Sequence, residues 1–212
     1  LQDLSISSFA GTPWLTNYSA NNGGTKFIML AGVRLLAYIS PDVDVVIPAA
    51  TTHIGKHAFY NNTSITNVDF SQVITNISIP SELFKNCTGL TTVTLTGYIK
   101  SVGIDAFAGT PWYDSLDDNS AYIVGGNLLF FKGTVDEFTV PLEVTHIGTH
   151  AFYSSGIQTL TLLSQTPCTL GAGDVLAGVT TIYVPDTTAL SAYAAHDAWR
   201  RYASLIRVAP SP

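Results

Sequence analysis

The sequence predicts a β-rich α+β fold: a solenoid of about 23-residue units with inserted β-hairpins and a C-terminal capping helix. Three observations lead there. A turn-forming word recurs at a fixed period, a strand-forming word follows it at the same period, and a long block of both is duplicated.

The turn word is an apolar residue, a small one, two variable ones, a small or apolar one, and Phe. It reads LSISSF (4–9), IGKHAF (54–59), IPSELF (79–84), VGIDAF (102–107) and IGTHAF (147–152), and LGAGDVL (170–176) closes the series with one extra residue. Its last positions are separated by 50, 25, 23, 45 and 24 residues, so the unit is about 23 residues and two gaps span two units each. Gly55, Gly103, Gly148 and Gly171, with Ser5 and Pro80 in the same column, are expected to form the tight turn at each corner.

The strand word reads ITNVDF (65–70), LTTVTL (90–95), VDEFTV (135–140), IQTLTL (157–162) and VTTIYV (179–184), with VDVVI (43–47) as a partial copy. Its middle residues, Val45, Val68, Val93, Phe138, Leu160 and Ile182, step by 23, 25, 45, 22 and 22. A period of 20 to 29 residues with this pattern signals a leucine-rich-repeat solenoid. Successive strand side chains face opposite ways, so Val68 and Phe70 point to the core while Asn67 and Asp69 point out. One unit cannot cover its own apolar edge, and stacking buries it. The Phe of each turn word is expected to stack on the next, each burial contributing about 1.5 to 3 kcal/mol.

The duplication is legible in HIGKHAFY (53–60) and HIGTHAFY (146–153), 93 residues apart, and in FAGTPW at 9–14 and 107–112. The first copy carries five extra residues within TNYSANNGGTK, a change that a surface loop tolerates. Hairpins are expected near 26–40 and 121–133, and the glycine pairs at 23–24 and 125–126 resemble hairpin turns. After residue 184 the stretch 185–207 reads as one helix of about five turns, with Asp186 or Thr187 as its N-cap, followed by a loose tail at 208–212. The whole of 1–212 reads as a single domain. LSISSF enters in the middle of a unit, and LQDLSISSFAG has neither an initiating Met nor a signal-like charged segment, so the chain reads as mature or trimmed, any export signal having been removed.

Composition narrows the function. Only 11% of residues are charged, against about 25% in an average soluble domain. Polarity comes instead from Thr, Ser and Asn, which suits short strands and turns. No apolar run approaches the ~20 residues of a spanning helix. A net charge of −6 with nine Lys and Arg leaves no basic stripe for nucleic acid or for an anionic membrane surface. Cys87 and Cys168 are too few for a disulfide scaffold and read as two small buried residues.

The words IPSELFKNCTGL (79–90) and IGKHAFYNNTSI (54–65) resemble the BspA-like leucine-rich repeats of bacterial surface proteins. The hairpin text YIVGGNLLFFKG (122–133) is similar to a recurrent feature of that family. The ending TTIYVPDTTALSAYAAHDAWRRYASLI (180–206) is similar to the terminal segment of such proteins from Bacteroides and its relatives. The resemblance covers nearly the whole chain. It implies an exported or outer-surface protein, with adhesion to matrix proteins or other cells proposed for some members, and it brings no catalytic residue. The Cys of the repeat word stands only at Cys87, with Asn62 and Ser155 in its place elsewhere.

Candidate chemistry is weighed against the period. His53/His57 and His146/His150 have the i, i+4 spacing that binds zinc on a helix, but no Glu follows the first His and a Gly interrupts the pair. They read as variable slots of a rung, without a metal. No GxSxG elbow or P-loop occurs. Asp117/Asp118 and Asp136/Glu137 read as solvated turns, and Asp42/Asp44 lacks the further oxygens of a calcium loop. No catalytic residue, cofactor site or metal site is expected. The outward strand positions Asn67, Asp69, Thr92, Thr94, Thr159, Thr161, Thr181 and Tyr183 form the candidate partner-binding face. Trp14 and Trp112 read as packing over corners. The preferred function is a non-enzymatic cell-surface or secreted module that binds an extracellular protein. The alternative is a carbohydrate-binding surface protein using Tyr183, Trp14 and Trp112, and an enzyme accessory or hydrolase domain is a third class.

Overall fold

Each repeat runs twice in extended form, once at the apolar residues that open the turn word and once at the strand word. The computed structural model describes residues 12–14, 17–18 and 26–210, so LSISSF and the Gly23–Gly24 pair lie outside the described residues. Two compact units, 1–116 and 117–212, divide the chain that reads in sequence as one domain.

In the first unit the strand words form a parallel sheet of β3 (Asp44–Val46), β5 (Asn67–Asp69) and β7 (Thr92–Thr94). Val45, Val68 and Val93 are register partners, as the period requires, and all three are buried. The turn words contribute β4 (His53–Ile54) and the parallel pair β6 (Ile77–Ile79) and β8 (Ile99–Val102). In the second unit the strand words form β11 (Glu137–Val140), β13 (Thr159–Leu162) and β15 (Thr181–Val184), and the turn words form β12 (His146–Ile147) and β14 (Thr169–Leu170). Leu128, Ile147, Phe152 and Leu160 meet in one buried cluster there.

Both hairpins form, and they resolve the two double-length gaps. β1 (Phe27–Leu30) pairs antiparallel with β2 (Arg34–Tyr38), whose other edge runs parallel to β4. Likewise β9 (Ser120–Val124) pairs with β10 (Asn127–Lys132), which runs parallel to β12. The second hairpin strand therefore occupies the place of the missing rung. Tyr38 N–H donates to Ala58 O and Phe131 N–H to Ala151 O, as Phe84 N–H does to Ala106 O between ordinary rungs. The turn at Gly125 and Gly126 has φ of 55° and 77°, as a two-residue hairpin demands. The first hairpin turns at Ala31 and Gly32, with φ of 50° and 70°.

The aromatic spine follows. In the first unit Tyr38 stacks on Phe59 at 5.4 Å, Phe59 on Phe84 at 4.9 Å, and Phe84 on Phe107 at 5.3 Å. Trp112 closes this stack edge-on to Phe107 at 4.6 Å, buried at the corner. In the second unit the strand-word ring Phe138 lies between Phe131 and Phe152, edge-on at 5.1 Å and tilted at 6.0 Å rather than stacked.

The corner glycines have a different reason from the expected one. Gly55, Gly103 and Gly171 are not in the left-handed region. A Cβ on Gly103 would stand 2.3 Å from Ser81 N, so glycine is required by the close approach of the neighbouring rung. The left-handed positions fall two residues later, at His57, Glu82 and Asp105, and again at Asn61, Asn86 and Ser154. Short polar side chains tolerate that conformation best, which suits Asp105, Asn61, Asn86 and Ser154, while His57 and Glu82 hold it in contact with each other.

The C-terminal segment departs from the expected five-turn helix. A helix spans Thr187–Ala195, capped by Asp186, whose Oδ1 accepts from Ala189 N–H at 2.9 Å. The chain leaves helical geometry at His196, forms a 3-10 turn over Arg200–Leu205, and ends in β16 (Ile206–Val208). Trp199 explains the break: it is fully buried, and its Nε1–H donates to Cys168 O at 2.6 Å. β16 then pairs parallel with β15, and Ala209 N–H donates to Val184 O, so the expected loose tail at 208–212 begins as ordered sheet. A strand added to the last rung satisfies backbone groups that a helix lying across it could not.

Candidate functional site

The eight outward strand residues fall in two patches, one in each unit. In the first, Asp44, Asn67 and Thr92 form one row of register partners and Val46, Asp69 and Thr94 the next. In the second, Glu137, Thr159 and Thr181 form one row, and Thr139, Thr161, Tyr183 and Arg207 the other. Neighbouring strands lie about 4.8 Å apart, so side chains along each row repeat at that interval, polar at every place but Val46. Asp44, Val46, Glu137, Thr139 and Arg207 complete the rows and were not assigned to this face in sequence. Four of them sit two residues apart around Val45 and Phe138, where the strand words could have revealed them. Arg207 was hidden by reading its segment as helix.

The residues on these rows are not equivalent. Thr92 and Thr94 are exposed, and their hydroxyls make no hydrogen bond among the described residues. Asp69 is engaged locally: Ser71 N–H donates to its Oδ1 at 2.7 Å and Ser71 Oγ–H to its Oδ2 at 2.9 Å. That carboxylate builds the turn after β5. Thr159, Thr161, Thr181 and Tyr183 are half-buried.

The histidines fall in separate settings. His53 lies on β4 with Nδ1 3.0 Å from Thr52 Oγ1, and His146 sits equivalently on β12, 2.8 Å from Thr169 Oγ1. His57 occupies the left-handed corner and joins Glu82 at 3.0 Å. Glu82 also receives Lys56 at 3.3 Å and Lys85 at 3.0 Å, and Lys85 continues to Asp105 at 3.0 Å. The His57 contact first, then Lys85 and Lys56, hold the Glu82 carboxyl well below the usual range, at about 2. This ladder ties successive corners together, as does Asn86 Nδ2–H donating to Asn61 Oδ1. No group of three or more His, Cys, Asp or Glu converges among the described residues.

The cysteine column is structural. Burial pushes the Cys87 thiol up to about 11 and the Cys168 thiol up to about 12. Cys87 Sγ–H donates to Phe59 O at 3.0 Å. In the same column Thr110 and Ser155 donate to the carbonyls of Phe107 and Phe152, each at 2.8 Å. Cys87 thus ties its turn to the preceding rung, whereas Thr110 and Ser155 close their own turns. Asp42 pairs with Lys26, and Asp118 with Lys132 at 3.0 Å. Trp112 is buried and offers no ring face to a sugar, whereas Trp14 is exposed and packs on Tyr18 at 4.9 Å.

The described residues contain no helix long and apolar enough to cross a membrane. No curated protein matches the chain. Among solved structures it is similar to a leucine-rich-repeat protein of T. pallidum, with 18% identity over 71% of this chain and 62% of that one, at a TM-score of 0.32. A leucine-rich cell surface protein of Faecalibacterium prausnitzii A2-165 shares 16% identity over 74% of this chain and 73% of that one, at a TM-score of 0.29. A leucine-rich-repeat protein of Bacteroides ovatus ATCC 8483 shares 14% over 76% and 62%, at 0.33. The chain thus spans less than two thirds of the T. pallidum and B. ovatus proteins. The sequence profile described as the BspA type leucine-rich-repeat region matches residues 52–168 in six copies. With its turn words, parallel rungs and aromatic spine, the chain belongs to the BspA-type leucine-rich-repeat family.

Proposed function

We propose that the protein is a non-enzymatic interaction module that works outside the cytoplasm, secreted or held at the cell surface as an outer-membrane lipoprotein, and that it holds an extracellular protein on its strand-word face. The observation that carries this reading is the pair of exposed rows at Thr92 and Thr94, whose hydroxyls have no intramolecular partner among the described residues. Open donors and acceptors at a fixed spacing on a rigid sheet meet a partner without first breaking internal bonds. Repeat proteins use such extended faces for binding. Family membership supports the same assignment.

The test is immobilisation of the protein against a panel of purified extracellular matrix proteins. Saturable binding to at least one, lost in the double variant Thr92→Arg/Thr94→Arg that melts like the wild type, is the expected result. Binding to none, or binding that the double variant retains, would contradict it.

A further inference from the structure

The two copies of the duplicated block differ at one seam of their sheets. In the second unit β12 pairs with β14: His146 and Thr169 are register partners, as are Ile147 and Leu170, and Gly171 N–H donates to Ile147 O at 2.8 Å. The positions 93 residues earlier are His53, Asn76, Ile54, Ile77 and Ser78. In the first unit the strands that carry them, β4 and β6, belong to separate sheets and form no ladder with each other. An open cleft of about 390 Å³ lies along that seam, with Leu36, Ile54, Ile77 and Pro80 among its apolar walls.

The polar groups at the seam differ in the same way. In the second unit they are satisfied internally: His146 Nδ1 lies 2.8 Å from Thr169 Oγ1, and Asn127 Nδ2–H donates to Val124 O at 3.2 Å. The first unit has Arg34 in the place of Asn127 and Asn76 in the place of Thr169, and His53 Nδ1 meets Thr52 Oγ1 instead. Arg34 and Asn76 both line the cleft, and neither side chain makes an ion pair or a hydrogen bond with a described residue. Lys100, also on the lining, is engaged: its ammonium donates to Gly97 O at 2.9 Å. The cleft thus presents one open guanidinium and one open carboxamide, and no Asp or Glu is among its lining residues.

One open cation calls for a single negative charge rather than a row of them. A guanidinium takes a carboxylate in bidentate fashion, and a carboxamide N–H beside it can donate to the same group. The aliphatic walls suit a carboxylate carried on an aliphatic body, whose burial adds to the ion pair. No aromatic ring is among the lining residues, so a nucleobase has nothing to stack on. The volume is at the small end of the roughly 300 to 1,000 Å³ of ligand clefts, which favours a small molecule or a chain end over a folded surface.

We propose that this seam binds an aliphatic carboxylate, a small free acid or the C-terminus of a peptide ending in an aliphatic residue, with Arg34 holding the carboxylate and Asn76 donating to it. The site does not depend on the strand-word face, and either can fail without the other. Titration with N-acetyl-leucine, with acetyl-Ala-Ala-Leu and with the amide of that peptide, followed by backbone amide chemical shifts, tests it. At least one of the two acids should move the shifts at 34–36, 53–55 and 76–78 saturably. Tighter binding of the peptide acid assigns the carboxylate to a chain terminus, and equal or tighter binding of N-acetyl-leucine assigns it to a free acid. The peptide amide and inorganic sulfate should bind about ten-fold more weakly or less, since neither offers a carboxylate. Arg34→Gln should weaken binding about ten-fold or more, Arg34→Lys should weaken it less, and Asn76→Asp, which sets a like charge against the ligand, should abolish it. Thr92→Arg/Thr94→Arg should leave it unchanged. Arg34 is half-exposed and Asn76 exposed, so their variants should melt like the wild type. No binding by either acid, equal binding by the amide or by sulfate, or binding that survives Arg34→Gln or Asn76→Asp overturns the proposal.

Discussion

Phe84→Ala tests the stacking of rungs most severely within the first unit. The side chain is fully buried and holds three aromatic neighbours: Phe59 at 4.9 Å and Phe107 at 5.3 Å, both stacked, and Phe70 edge-on at 6.4 Å. Truncating a buried Phe costs about 3 to 5 kcal/mol, through lost transfer energy and the cavity left behind. A site walled on both sides by rings of other rungs collapses poorly, so the upper part of that range, about 4 to 5 kcal/mol, is expected. Phe84→Leu keeps most of the volume and should cost about 1 to 2 kcal/mol. Phe138→Ala, at a half-buried ring, should cost about 2 kcal/mol. Urea unfolding followed by tryptophan fluorescence measures this, with Trp112 beside Phe107 reporting on the same stack. With a slope of about 2 kcal/mol/M, Phe84→Ala should lower the midpoint by about 2 M. A loss below about 2 kcal/mol, or the same loss at Phe84 and Phe138, would refute the idea that ring stacking between rungs holds the unit together.

Other perturbations separate the remaining parts of the fold. Gly103→Ala drives a Cβ into the backbone of Ser81 and Pro80 and should cost about 3 kcal/mol, whereas Gly32→Ala, left-handed but in open space, should cost about 1 kcal/mol; equal losses in thermal melts would argue against close rung approach. For Glu82, the folded pKa of about 2 lies below the unfolded value of about 4.3, so its stabilisation is present above that value and is lost as pH falls toward 2. Glu82→Gln should therefore flatten the decline of the urea midpoint between about pH 4.5 and 2, and parallel slopes in the two proteins would show that the corner ladder does not act on stability. Cys87 and Cys168, with thiols raised by burial, should react with an aromatic disulfide only as fast as the protein opens, and rapid labelling in native buffer would contradict that environment.

Much of this was legible because a solenoid writes its geometry into a period. The spacing of Phe59, Phe84 and Phe107 marked three adjacent rings of the spine. Tyr38 and Phe131 escaped notice because the rungs they occupy are built by hairpin strands, which share the end of the turn word but not its start. The corner glycines were visible but misread: sequence shows that a side chain is absent, not whether backbone angle or a neighbouring strand forbids it. The helix break at His196 was invisible because the 3 and 4 spacing of Leu190, Tyr193, Ala194, Asp197 and Ala198 continues across it. Burial of Trp199 and pairing of Ile206 with Ile182 outweigh that local pattern. For the strand face, alternation identified the rows.

The central functional claim is that the strand words, and not the duplicated histidine words, meet the protein partner. Hydrogen–deuterium exchange of the protein, free and bound to the matrix protein it captures, tests this directly. Slowed exchange over 67–69 and 92–94, over 159–161 and 181–183, or over both stretches, with 55–62 and 148–155 unchanged, is the expected result. Protection confined to those two turn segments would contradict it.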